Sequence, residues 1–306
     1  MSDLVALFIV PGGLFVLLSG LAFEWLDRKL VARLQNRVGP RWFQPVADMV
    51  KLLTKDEVVP RGASALLFNA LPVVGLASVL TAALYVPLAG LTPAFGFQGD
   101  LVVTVYLLSA LSLCLSLAGA TTNDRFSLLG AGRTLTQLFC YEAPWLLSLL
   151  GPAMAASSWQ IGDVAAYATG RWLVLTQPVG FAVAVVGLAG KLELAPLDAP
   201  EAETELVAGA LTEYGGRGLA LFRLAKDAAL VVGLALIAAF YLGGVGPYGP
   251  LAWLAKTLVL LGLVALLQTL FARLRIDQTV GLWWRFGAWL ALLQLLALGL
   301  WKVVVG

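Results

Sequence analysis

The sequence predicts an all-α polytopic membrane protein, and three observations carry that prediction. Of 306 residues, 60% are apolar and only 12% are charged, about half the charge of a soluble domain. The mean hydropathy is +0.90. A hydrocarbon core of about 30 Å takes about 20 apolar residues of helix, and eight stretches approach that length: 4–23, 65–90, 101–119, 135–156, 174–192, 228–243, 252–272 and 283–304.

The first apolar run follows only Met1-Ser2-Asp3, with no basic region before it and no small-residue cleavage site after it. It is expected to be a true span rather than a signal peptide. Past it, Arg28, Lys29, Arg33 and Arg37 recur at helical spacing until Val38-Gly39-Pro40 breaks the helix. Gln44-Pro45 starts another. Val46, Met49, Val50, Leu52 and Leu53 are its apolar residues, and Asp48, Lys51 and Lys55 its polar ones. That pattern predicts an amphipathic helix lying at the interface. Pro72, Pro87, Pro144, Pro152 and Pro178 fall in the following spans and predict kinks buffered by neighbouring helices. The sixth span is short, is opened by Lys226-Asp227 and ends in Gly243-Gly244.

Charge orients the bundle. With the amino terminus outside, every Lys and Arg except Arg171, Lys256 and Lys302 falls on the inner side, as the positive-inside rule requires. The long inner loops are then 24–64, 120–134, 193–227 and 273–282, so a soluble partner docks on that face. Without long polar tails or low-complexity linkers, residues 1–306 read as one transmembrane domain. The loops 24–64 and 193–227 are its docking and coupling segments. There is no strong repeat, although a degenerate inverted repeat of the transporter kind leaves weak sequence traces.

The most informative stretch is the inner loop Leu197–Tyr214, which carries Asp198, Glu201, Glu203, Glu205 and Glu213. Asp198-Ala-Pro-Glu201 has the form of a capped helix start. The plain alternative is acids complementing a helix dipole, but a cap needs only one or two. Glu201 and Glu205, four apart, are expected on one helix face, where their repulsion favours protonation of one. Glu142 is a carboxylate inside the fourth apolar stretch, beside Tyr141. Such a group costs roughly 2.5–3.5 kcal/mol at a helix centre and is by default functional. A structural hydrogen bond is the alternative. Lys191 and Glu193 end the fifth span, either snorkelling or joining the acidic loop in a charge chain. The chain has no histidine and no CxxC; Cys114 and Cys140 lie in apolar segments. The usual zinc, haem and iron–sulfur ligand sets are missing, so any redox centre belongs to another chain. A net charge of +2 says nothing about a partner, and no nucleic acid is expected.

Several patches resemble a known family: ARLQNRVGP, then QPVADMVKLLTKDEVVP, then Gln137-Leu-Phe-Cys-Tyr141-Glu142, Ala195 to Leu206, Thr212-Glu213-Tyr214, and Arg273-Leu-Arg-Ile-Asp277-Gln278. In this order, over nearly the whole chain, they resemble complex I subunit 1 and the related membrane subunit of energy-converting hydrogenases and formate hydrogenlyase. Asp27-Arg28 stands where the complex I form has Glu-Arg. Only Arg41-Trp42-Phe43 separate Pro40 from Gln44, where that form carries a longer segment at the mouth of its quinone chamber. Leu194 to Asp198 also departs from the pattern of many members. The shortening resembles the hydrogenase-type branch.

The resemblance implies a proximal membrane subunit in a prokaryotic plasma membrane. It would anchor a hydrogenase-like large subunit and an iron–sulfur small subunit on the inner side. Antiporter-like subunits would adjoin it in the bilayer. A NiFe centre and iron–sulfur clusters are expected in those partners and none in this chain; a quinone site is the alternative. Proton relay or coupling falls to Glu142, Asp198, Glu201, Glu203, Glu205, Glu213, Lys191 and Tyr141. Partner docking falls to Arg28, Arg33, Arg37, Gln44, Asp48, Lys51, Arg273 and Asp277. A stand-alone ion transporter is the competing class.

Overall fold

The computed structural model describes residues 12–246 and 249–305, and among them every regular element is helical. Residues 4–11 of the expected first span lie outside the described residues. The elements in chain order are α1 (Gly13–Leu34), α2 (Gln44–Thr54), α3 (Ala65–Ala83), α4 (Asp100–Ala120), α5 (Arg125–Ala156), α6 (Ile161–Ala168), α7 (Leu173–Thr176) and α8 (Pro178–Lys191). A loop with a 3₁₀ turn (Ala199–Glu201), α9 (Glu203–Leu206) and a second 3₁₀ turn (Gly209–Leu211) leads to α10 (Gly216–Tyr241). Then come α11 (Gly249–Leu270), α12 (Ile276–Leu282), a π-helical segment (Trp283–Gly287) and α13 (Ala288–Val305).

By length and apolarity, α3, α4, α10, α11 and the run 276–304 qualify as membrane spans; α8 is apolar but shorter. The expected spans at 4–23 and 135–156 overlap α1, over residues 13–23, and α5, which also carry charged residues. α10 is the centre of the bundle. Of its most apolar stretch 83% is buried, against 11% for the run 276–304, which lies at the periphery. Glycines and alanines let the neighbours approach α10 closely. A Cβ at Gly20 of α1 would meet the backbone of Asp227 and Ala228 at 3.1–3.2 Å.

Several boundaries differ from expectation. The basic segment after the first span continues the same helix, but α1 ends at Leu34, so Arg37 lies in the turn beyond it. The span expected over 65–90 ends at Ala83, before Pro87. α5 begins ten residues before the expected 135, because the Asp124 carboxylate accepts the Ser127 N–H at 2.8 Å and caps it. The sixth span begins at Gly216, which puts Lys226 and Asp227 inside α10 rather than at its start. The last span extends back to Ile276 through the π-helical segment; such segments often mark functional positions.

The surface helix is present as α2, with proline in its first turn. Pro45 and Met49 are buried against the bundle. Val46, Val50 and Leu53 form an exposed stripe at the i, i+4, i+7 spacing of one helix face.

Candidate functional site: a buried charge chain

The helix expected from Asp198 through Glu205 does not form. The 3₁₀ turn stops at Glu201, Ala202 is non-helical, and the Asp198 side chain caps nothing. Glu201 and Glu205 therefore share no helix face. Each is drawn to its own cation. Arg133 of α5 holds Glu205 at 2.6 Å, and Lys226 of α10 holds Glu201 at 2.5 Å. The expected repulsion gives way to two ion pairs because the chain turns at Ala202.

Lys226 also pairs with Glu193 at 2.6 Å, so one ammonium bridges two carboxylates from different segments. Glu193 is buried and follows the C-terminal end of α8 at a positive φ of 55°. Burial pushes its carboxyl up, and Lys226 pulls it back. Two residues earlier, Lys191 closes a second cluster. Its Nζ lies 3.0 Å from Glu142 and donates to Ser109 Oγ at 2.6 Å. Ser109 donates in turn to Glu142 at 2.5 Å. The Lys191 ammonium also sits 4.4 Å over the Trp145 ring and 5.2 Å from that of Tyr141, a favourable face for a cation. Tyr141 shares a hydrogen bond of 3.1 Å with Ser112. The Lys191 side chain is 3% exposed and that of Glu142 18%, so Glu142 is less enclosed than a mid-helix carboxylate suggests. Removing one partner of a buried pair costs about 3–5 kcal/mol.

The local sequence explains this convergence. Pro144 has no N–H for the Cys140 carbonyl and interrupts the α5 ladder close to Glu142. Gln137 donates to the Gly190 and Leu197 carbonyls at 2.8 and 2.7 Å. That stitches the end of α8 and the acidic loop to α5. Gly130 of α5 lies directly against Gly209 and Ala210, and a Cβ there would collide with their backbone. Gly209 has a φ of +55° and no room beside the Pro200 carbonyl. At the loop's other end Tyr214 stacks on Phe68 at 4.1 Å and donates to the Phe68 carbonyl at 3.2 Å.

A cavity of about 420 Å³ opens beside Lys226 and is lined by charge from three elements: Glu24, Asp27 and Arg28 of α1; Glu193 and Glu201; Arg223 and Asp227 of α10. Arg28 forms ion pairs with Glu24 and, at 3.5 Å, Asp48. Asp27 accepts from Gln268 of α11 at 3.0 and 3.2 Å.

Of the residues singled out from sequence, Glu142, Lys191 and Tyr141 meet in one cluster. Asp198 reaches Arg273 at 3.3 Å, and Arg273 donates to the Asp198 carbonyl at 2.6 Å. Glu213 is exposed, and the Glu203 side chain lies outside the described residues. On the docking side Gln44 donates to Asp48 at 2.9 Å, while Arg33, Arg37, Lys51 and Asp277 are exposed. Sequence reasoning left Lys226, Arg133 and Ser109 out of the site, and gave Glu193 a place in a charge chain only as the alternative to snorkelling. Lys226 carried a signal, a lysine entering an apolar run. Ser109 carried none.

A family profile described as NADH dehydrogenase matches residues 6–299. The chain belongs to the NADH dehydrogenase family. An NADH-quinone oxidoreductase subunit of Thermomicrobium roseum is 34% identical over 93% of this chain and 92% of its own length. An NADH-quinone oxidoreductase subunit of Syntrophobacter fumaroxidans is 34% identical over 95% and 93%. Among solved structures, a chain of the membrane-bound sulfane sulfur reductase, an archaeal respiratory membrane complex, superposes with a TM-score of 0.86. The match covers 97% of this chain and 100% of that one, at 22% identity, and so shows a shared fold. In this family member, then, the ion-paired clusters sit on a bundle that a respiratory membrane complex also uses.

Proposed function

We propose that this chain is the proximal membrane subunit of a complex-I-like respiratory complex in a prokaryotic plasma membrane, and that it couples electron transfer in a peripheral arm to proton or sodium translocation. One observation carries the coupling reading. Acids and bases alternate from Glu201 through Lys226 to Glu193, and two residues away Lys191 continues to Ser109 and Glu142. Groups that share protons and cations in this way respond to charge arriving at one end, because a charge at ~4 Å and an effective dielectric of 20 acts with about 4 kcal/mol.

The docking reading rests on α2 with its exposed Lys51, and on the exposed Arg33 and Arg37. The partners would be a large subunit and an iron–sulfur small subunit on the inner face, with antiporter-like subunits in the bilayer. The redox centres would be theirs. The shortened segment Arg41-Trp42-Phe43 supports a ferredoxin-linked, membrane-bound hydrogenase carrying a NiFe centre. A second reading, the quinone-site subunit of a quinone oxidoreductase, is favoured by the names of the relatives at 34% identity. A neighbouring reading frame with two intact CxxC pairs for nickel and iron decides for the hydrogenase, and bound quinone decides against it.

The coupling test is Lys226→Met in the assembled complex. Electron transfer is expected to continue while membrane energisation falls. Full energisation in that variant would remove the charge chain from the mechanism. Cation-dependent proton flux by the isolated chain in liposomes would instead favour a stand-alone transporter.

A further inference from the structure

The end of the bundle opposite the charge chain holds a second polar site. A cleft of about 770 Å³ lies between the C-terminal ends of α5 and α13 and the connection from α6 to α8. Tyr167, Arg171, Trp172, Trp301 and Lys302 line it. We infer that it binds the headgroup of an anionic phospholipid in the leaflet that the charge bias assigns to the outer side.

Three features argue for this occupant. First, the positive-inside bias leaves few basic residues at this end, yet two of them, Arg171 and Lys302, line one cleft. No carboxylate lines it, and among the described residues neither cation forms an ion pair. Second, both cations are held in place with donors to spare. The Arg171 guanidinium lies 4.2 Å over the Tyr167 ring. Lys302 Nζ donates to the Met154 carbonyl at 3.0 Å and to Ser157 Oγ. A guanidinium offers five N–H donors and an ammonium three, so both can also bind a phosphodiester. Third, Trp172 and Trp301 line the cleft and are exposed, and Met154, Leu173 and Leu298 line it with them. Tryptophan at headgroup level above an apolar wall is the arrangement of a membrane interface. The wall accommodates acyl chains, which a free phosphate does not have.

This inference is independent of the coupling reading. The test uses the purified complex in detergent doped with phosphatidylglycerol or phosphatidylcholine, with retained lipid counted by native mass spectrometry. Phosphatidylglycerol is expected to be retained preferentially. Arg171→Gln with Lys302→Gln should weaken that retention about tenfold and leave phosphatidylcholine unchanged. Arg171→Lys with Lys302→Arg should restore it, which separates charge from folding, and Arg217→Gln at the opposite end should have no effect. Unchanged phosphatidylglycerol in the double glutamine variant, equal loss of both lipids, or no restoration by the charge-preserving pair would overturn the proposal. Displacement of the lipid by inorganic phosphate would reassign the cleft to a free anion, and a neighbouring subunit's segment seated there would reassign it to an interface.

Discussion

Lys191 at the end of α8 and Glu142 in the middle of α5 meet at 3.0 Å with Ser109 bridging them. The buried lysine is received by this carboxylate and by the Trp145 face. Lys191→Met alone should therefore destabilise the chain by about 3–5 kcal/mol, since it strands Glu142. Lys191→Met with Glu142→Gln should recover part of that loss. Thermal unfolding of the four variants in one detergent measures the coupling energy; strict additivity would show that the pair contributes nothing.

Glu142→Gln keeps the shape and the hydrogen bond from Ser109 while removing the titratable group. The complex should assemble and transfer electrons with impaired energisation. Redox-driven energisation equal to wild type would leave Glu142 a structural role only.

Gly130→Ala should displace the acidic loop, because its methyl would occupy the space of the Gly209 and Ala210 backbone. Overpacking of this kind costs about 1–3 kcal/mol. Hydrogen exchange over residues 199–211 should quicken severalfold, with the far end of α5 unchanged. Unaltered exchange would mean that the loop is not held there.

The Arg133 guanidinium beside Glu205 holds its carboxyl below the usual glutamate range. A lowered value in the folded state means that the pair stabilises the loop above the ordinary value of about 4.3 and is lost as pH falls through the lowered one. Loop protection from exchange should decline only in that acid range. Glu205→Gln should remove the pH dependence, and added salt should mimic it, since the glutamate is exposed. A decline that survives Glu205→Gln would assign it to another group.

Charge reversal at Arg33 and Arg37 should let salt washing release the peripheral arm more readily, because exposed pairs are screened. Unchanged composition of the complex after washing would leave these residues to lipid alone.

The sequence by itself determined the class. Long apolar runs are a one-dimensional signal, and a bilayer acts on them locally. It also determined α2, because Gln44-Pro45 and a period of 3.6 residues are local too, and it singled out Glu142, since a carboxylate in an apolar run is visible without any partner. Tertiary structure decided who pairs with whom. Glu201 and Glu205 are one helical turn apart in sequence, yet they separate to Lys226 and Arg133, because Ala202 leaves the helical conformation and the loop is seated on Gly130. Lys226 reaches Glu193 across 33 residues and Lys191 reaches Glu142 across 49. Contacts at that separation depend on how α5, α8 and α10 cross. The side chains that fill the crossings set that geometry, and no spacing within a single segment records it.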